Sequence, residues 1–267
     1  MRRRQLLWFS LGPVAAMAQS FDHGYAAWDA LLKAHVRWLP DGKQSRVDYA
    51  GFARDRAALR RVLEAFSAVS ATDFERWPAT QRMAFLINAY NAFTVELVLT
   101  RYPDVASIRD LGSLFRSPWK IEFFSLLGAR RHLDWVEHEQ LRPKYADPRI
   151  HAAVNCASIG CPALRPEAFT AARLEAQLED GMQRFLGDRT RNRVRDGRLE
   201  VNPIFKWYRE DFEKGQQGFA RLEDVFARYA AQLSDRADEQ AKLRERALPV
   251  TFLDYDWSLN DLAARAR

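Results

Sequence analysis

Residues 80–101 read TQRMAFLINAYNAFTVELVLTR, the longest and most apolar helical stretch of the chain. From Met83 to Leu99 apolar residues fall on almost every side of a helical projection, the pattern of a helix buried all round. The spacing predicts a helix over 80–101. Tyr102-Pro103-Asp104 stops it, because the residue before a proline is steered out of the α region. Two polar residues interrupt it. Asn88 and Asn91 are three apart and share a face. A buried amide must be paired, so this face meets polar groups. Either the two asparagines tie neighbouring loops to the helix, or they face a cleft.

The flanking segments predict further helices. Phe21 to Trp38 has helical spacing (Tyr25, Trp28, Leu31, Leu32, His35), ended by Pro40-Asp41-Gly42. Phe52 to Val69 carries Leu59, Val62, Leu63 and Phe66 on one face. Thr72 with Glu75 is a capping box for a short helix. Beyond the central helix, 119–127 reads as a strand that turns at Gly128 into a second. Leu133 to Leu141 reads as a helix carrying Glu137 and His138, broken by Pro143. Thr170 caps a helix to Leu186, and Asp196-Gly197 marks a hairpin. Helices follow at 219–233 and 237–247, then a strand at 250–255. These elements predict one α+β domain over 19–267. Its helices pack around a modest sheet that includes 119–127, 150–155 and 250–255.

Nearly half of the 267 residues are hydrophobic, with eight Trp and seventeen Phe, enough for a core without metals or bridges. Arg2, Arg3 and Arg4, the apolar stretch from Leu6 to Val14 and Ala16-Met17-Ala18 make residues 1–18 a secretory signal peptide. The mature chain is then periplasmic or secreted, in a disulfide-permissive compartment. Cleavage removes three arginines and no acid, halving the net charge of +6. That gives no basis for nucleic-acid binding. No later run of eighteen apolar residues predicts a membrane span. No feature specifies a cofactor or an oligomeric state: there is no P-loop, G-x-G-x-x-G, G-x-S-x-G or EF-hand loop.

The chemistry-bearing residues gather at 149–165, RIHAAVNCASIGCPALR, with both cysteines and one of five histidines. Ile150 to Val154 reads as a short buried strand, and Ser158, Gly160 and Pro162 as a turn. One reading is a thiol-dependent hydrolase or transferase acting on an amide, peptide or small thiol conjugate held in a cleft. Cys156 is then the nucleophile and His138 or His151 the base, oriented by Glu137, Asn88 or Asn91. Backbone N–H groups of residues 157–160 supply an oxyanion site. Strand alternation places His151 on the face opposite Cys156, which makes His138 an equal partner. The other reading is a Cys156–Cys161 disulfide pinning a turn of a non-catalytic binding or scaffold module. Such a small ring contributes about 2 kcal/mol. Glu137, His138, His151, Cys156 and Cys161 have the atom types for zinc, but none of the recognised ligand spacings.

FLINAYN at 85–91, IRD at 108–110, WVEH at 135–138, DPRIHAAVNCASIGCP at 147–162 and YDWSLN at 255–260 together resemble the domain of unknown function 547 family, from about Gln81 to Trp257. The family occurs in exported bacterial proteins and in plants. The resemblance implies an α+β domain with some likeness to transglutaminase and papain-like cysteine hydrolases. Those enzymes carry the cysteine at the start of the central helix, with the histidine later. Here the helix holds Asn88 and Asn91 instead, and both cysteines follow the histidines. A shared mechanism therefore implies a rearranged nucleophile.

Overall fold

A computed structural model of the chain describes residues 20–113 and 116–263; the expected signal peptide lies outside them. The central helix spans Ala79–Leu99, with every residue from Met83 to Val95 buried. It starts after Pro78 and ends just before the Tyr102-Pro103 pair. Helices Tyr49–Arg54 and Arg56–Ala68 pack on it, and helix Ala26–His35 packs on those two. The single helix expected over 52–69 is thus two. Its break is at Asp55, whose carboxylate accepts from His35 Nε2 at 2.8 Å. In helix Ala71–Arg76 the cap is Ser70 rather than Thr72: the Ser70 hydroxyl accepts from Asp73 N at 3.0 Å.

Among the described residues the strands are short and form three separate sheets. β1 (Val36–Trp38) pairs antiparallel with β2 (Ser45–Val47), and β3 (Phe124–Leu126) with β4 (Ala129–Arg131). β5 (Arg193–Arg195) and β6 (Arg198–Val201) form the expected hairpin, and β7 (Val250–Phe252) joins β6 in parallel. Asp196 and Gly197 have φ of 50° and 71°, the left-handed pair that a tight hairpin needs. The fold is α+β, but the single sheet expected from the sequence is not formed. β3 and β7 belong to different sheets, and 150–155 is not a strand.

Pro148–Ala152 is instead a turn of 3-10 helix. Pro148 takes the first helical position, where its missing N–H costs nothing. The Asp147 carboxylate accepts from Arg149 N at 3.0 Å. Arg149 is buried and bound to Asp147 and Glu175. An apolar run buried on all sides has the same appearance in a strand or a tight turn.

Among the described residues the buried side chains form two clusters. One surrounds the central helix; the other joins helix Leu174–Gly187, β6 and the helices after residue 203. Ala152 belongs to the second cluster, whereas Ile150, Ala153 and Val154 belong to the first. The cysteine segment therefore runs along the seam between two cores. Among the described residues no helix is long and apolar enough to cross a membrane.

Candidate active site

The turn that carries Cys156 is built on asparagines. Asn91 Nδ2 donates to Ala153 O at 3.0 Å, and Asn91 Oδ1 accepts from Asn155 N at 2.8 Å. Asn88 does the same for Phe169, donating to its carbonyl at 2.7 Å and accepting from its N–H at 3.0 Å. Each amide pairs with backbone as a neighbouring strand would. Both side chains are loop clamps, and neither lines the cavity described below. The cleft-facing, histidine-orienting role expected as one alternative is not what they perform.

Asn155 continues the chain. Its Nδ2 donates to Pro162 O at 2.7 Å, and its Oδ1 accepts from Ala157 N at 2.9 Å. Ala157 sits at φ 63°, a left-handed conformation that costs a non-glycine residue on the order of 1 kcal/mol. The C-terminal segment holds it there. Asn260 N donates to Ala157 O at 3.0 Å, Ile159 N to Ser258 O at 2.8 Å and Gly160 N to Asp256 O at 2.8 Å. The Ser158 N–H is directed at the Cys156 sulfur. All four backbone donors at 157–160 are thus engaged, and the oxyanion site expected from them is not available.

Cys156 is half-buried and Cys161 buried, and both thiols are free. Cys156 Sγ lies 3.1 Å from Ser158 Oγ and 3.1 Å from the Tyr255 hydroxyl, and these two oxygens are 2.8 Å apart. Cys156 N donates to Cys161 Sγ at 3.0 Å. Hydrogen bonding from the Cys161 thiol does most to stabilise the Cys156 thiolate. Burial opposes it, and Ser158 and Tyr255 add to it, so the Cys156 pKa falls from 9.0 to about 7. Burial pushes the Cys161 thiol well up. Cys156 is the sulfur that ionises.

Two consequences are testable. Cys161→Ala removes the leading donor, and the midpoint for alkylation of Cys156 is expected to rise by about one pH unit or more. Gly160→Ala acts from the other side. A Cβ there meets the Tyr255 ring at 2.9 Å, so Tyr255 must move off the sulfur. The same midpoint is expected to rise, with about 1–3 kcal/mol lost in urea unfolding.

Cys156 opens on a cavity of about 170 Å³ at the seam of the two cores. Tyr90, Val154 and Ile204 contribute core residues to its lining, and Trp119, Trp207 and Trp257 aromatic ones. Asp134, Glu137, His138 and His151 line it too. The segment Trp135–Leu141 that carries Glu137 and His138 is wound as a π-helix rather than the α-helix expected. Its end continues through Pro143 in Arg142–Lys144. Wide turns of this kind recur at functional sites.

The two histidines differ in what occupies their nitrogens. His138 Nδ1 lies 2.9 Å from Arg142 NH1. A guanidinium only donates, so Nδ1 accepts and the proton of neutral His138 is on Nε2, 3.7 Å from Asp134 Oδ1. Its lone pair is taken. His151 Nε2 lies 2.9 Å from Asp211 Oδ2 and donates to that carboxylate. In the neutral ring its Nδ1 then holds the lone pair. It has no hydrogen-bond partner, and the nearest carboxylate oxygen, Glu137 Oε1, is 3.8 Å away. The imidazole is buried and stacks on Tyr208 at 3.9 Å. Burial alone would raise the Asp211 carboxyl. Hydrogen bonds from His151, Arg142 and Lys214 outweigh it and hold Asp211 well below the ordinary carboxylate range. No hydrogen bond joins Cys156 to either histidine; their relation is that of walls of one cavity. Among the described residues no group of three or more His, Cys, Asp or Glu is placed to hold a metal.

Residues 74–186 match the family described as "Protein of unknown function, DUF547". This segment is a domain of that family. The match contains the central helix, the Glu137–His138 turn and the whole Cys156 turn. It stops short of Tyr208, Tyr255 and Trp257, which line the cavity, and of Asp211, which binds His151. It carries the family and not the likeness to transglutaminases. No curated protein and no solved structure matches the chain.

Sequence reasoning missed Asp211, Ser158 and Tyr255 as site residues. Ser158 and Tyr255 lie inside motifs that the family resemblance had marked. Asp211 sits in a charged run, RED, with nothing to set it apart.

Proposed function

We propose that the DUF547 domain of this exported chain works as a thiol-dependent hydrolase or transferase on an amide, ester or peptide carbonyl. The observation that carries this reading is Cys156: a free thiol with its pKa drawn down to about 7, on the wall of a cavity also lined by His151, which is bound to Asp211 and has an unpaired Nδ1. Cys156 is the nucleophile. His151 is the base, and Asp211, rather than Glu137 or an asparagine, fixes its tautomer.

In the first step the thiolate attacks the carbonyl carbon and a C–S bond forms. The bond to the leaving group breaks, and that group departs with the proton that Cys156 gave to His151 Nδ1 on ionising. In the second, water attacks the thioester, its proton passes to His151 Nδ1, and the thiolate is released. The Tyr255 hydroxyl, already directed at the sulfur, is the donor nearest the developing oxyanion.

The test uses nitrophenyl acetate as a generic acyl donor. The reading expects a stoichiometric burst followed by continued turnover, both absent in Cys156→Ala. His151→Gln should slow turnover by about 10²- to 10⁴-fold while leaving a burst. A burst with no turnover in the native chain would leave only a reactive thiol. The rival, a disulfide-pinned binding module, expects no free thiol in the native protein and no burst.

A further inference from the structure

The cavity walls carry a pattern that thiol chemistry does not require. Trp257 is in contact with Tyr255, Trp207 and Trp119, with ring centroids 4.4, 5.7 and 5.8 Å away, and all four rings line the cavity. Ring faces are the negative side of an aromatic and attract cations. Asp134 and Glu137 add two carboxylates, and no Lys or Arg lines the space. Two guanidinium groups stand against the lining rings from outside, Arg109 over Trp257 at 5.3 Å and Arg142 over Tyr208 at 5.0 Å; Arg142 is held by Asp211, Glu210 and His138. Lys120 acts on Asp134 from outside the lining and is itself exposed.

A second, independent observation concerns hydrogen bonding. His151 has its side chain 2 % exposed, and its Nδ1 is a buried atom with no partner. Because Nε2 gives its proton to Asp211, Nδ1 presents a lone pair, and a ligand that satisfies it must bring an N–H or O–H. The cavity thus offers carboxylate and imidazole acceptors inside an aromatic wall. An anionic group would be repelled there, and a purely apolar one would leave the acceptors unpaired.

We infer that this cavity takes a compact N–H-bearing cation, an ammonium or guanidinium group, which places an amine-bearing amide or peptide as the substrate class. The aromatic wall holds the cation's charge, Asp134 and Glu137 neutralise it, and the group sits beside Cys156 with the scissile carbonyl at the sulfur. The inference deepens the thiol-hydrolase reading and rests on it for the word substrate, but the binding itself needs no thiol.

The experiment titrates the full-length chain with tert-butylammonium and with tert-butanol, its neutral counterpart of the same shape. It is run at constant ionic strength and neutral pH, and followed by tryptophan fluorescence. The expected result is saturable binding of the ammonium, about tenfold tighter than the alcohol. The preference should survive in Cys156→Ala and collapse in Asp134→Asn and in Trp257→Leu. Equal or tighter binding of the alcohol would overturn the inference, as would no saturable change with either probe or a preference unaffected by Asp134→Asn. Failure of the thiol reading shows elsewhere, as a missing acyl burst with ammonium binding intact.

Discussion

Replacement of Asn91 by leucine is expected to lower the free energy of unfolding by about 2–5 kcal/mol, with the Cys156 turn loosened in whatever protein still folds. The volume change is small, so the effect is one of hydrogen bonding. The amide bridges Ala153 O and Asn155 N at 3.0 and 2.8 Å, and both groups are buried between the cores. Leucine leaves each without a partner, at about 1–3 kcal/mol apiece. Asn88→Leu is the matched control. It should cost a similar amount, because Asn88 bridges Phe169 in the same way. Its effect on Cys156 should be small, since Phe169 is not part of the cysteine turn. Urea unfolding gives the stabilities, and alkylation of Cys156 gives the local effect. A loss in both variants with the thiol perturbed only in Asn91→Leu is the expected pattern. Equal perturbation of the thiol would mean that the clamp acts only through global stability.

Asp211→Asn is expected to reduce turnover of nitrophenyl acetate by about 10²- to 10⁴-fold with the initial acyl burst preserved. The carboxylate fixes the His151 proton on Nε2 and leaves Nδ1 as the base. An amide can face the ring with its NH₂ instead, and the tautomer is then free to invert. Cys156 has other partners, Ser158 and Tyr255, so its first reaction is spared. The same variant reports on stability against pH. A carboxyl held below its ordinary value of 3.8 adds stability that is fully present above that value and is lost as pH falls below it. Native protein should therefore lose stability on acidification in a part that Asp211→Asn lacks. The Cys156 thiol, depressed from 9.0 to about 7, follows the same sign in a higher window. Its contribution is present above pH 9 and is lost as pH falls through 7, and Cys156→Ala removes that slope.

How much of this was legible in the sequence depends on the kind of signal. The central helix was, because an apolar run of that length with a proline behind it has one reading. The Asp196-Gly197 hairpin was legible because its turn needs left-handed residues. The segment 150–155 was not. Its buried apolar run fits a strand or a 3-10 turn equally, and the choice came from Pro148 and the Asp147–Arg149 contact. That error also misplaced His151, whose assignment to the face opposite Cys156 assumed a strand. Asn88 and Asn91 could be read either as tying loops to the helix or as facing a cleft, because their partners, Phe169 and Ala153, are distant in sequence. The choice between His138 and His151 rested on Arg142 and Asp211. One is four residues along the same helical segment; the other is sixty residues beyond His151 in a run of charges.

The reactivity of Cys156 against pH tests the central claim most directly. The full-length native chain is alkylated with iodoacetamide across pH 5 to 10, and labelling of each cysteine is followed by peptide mass spectrometry. The account predicts that Cys156 is labelled in preference to Cys161, with a midpoint near 7. A midpoint at 9 or above, labelling of Cys161 first, or a Cys156–Cys161 bridge in place of two thiols would contradict it.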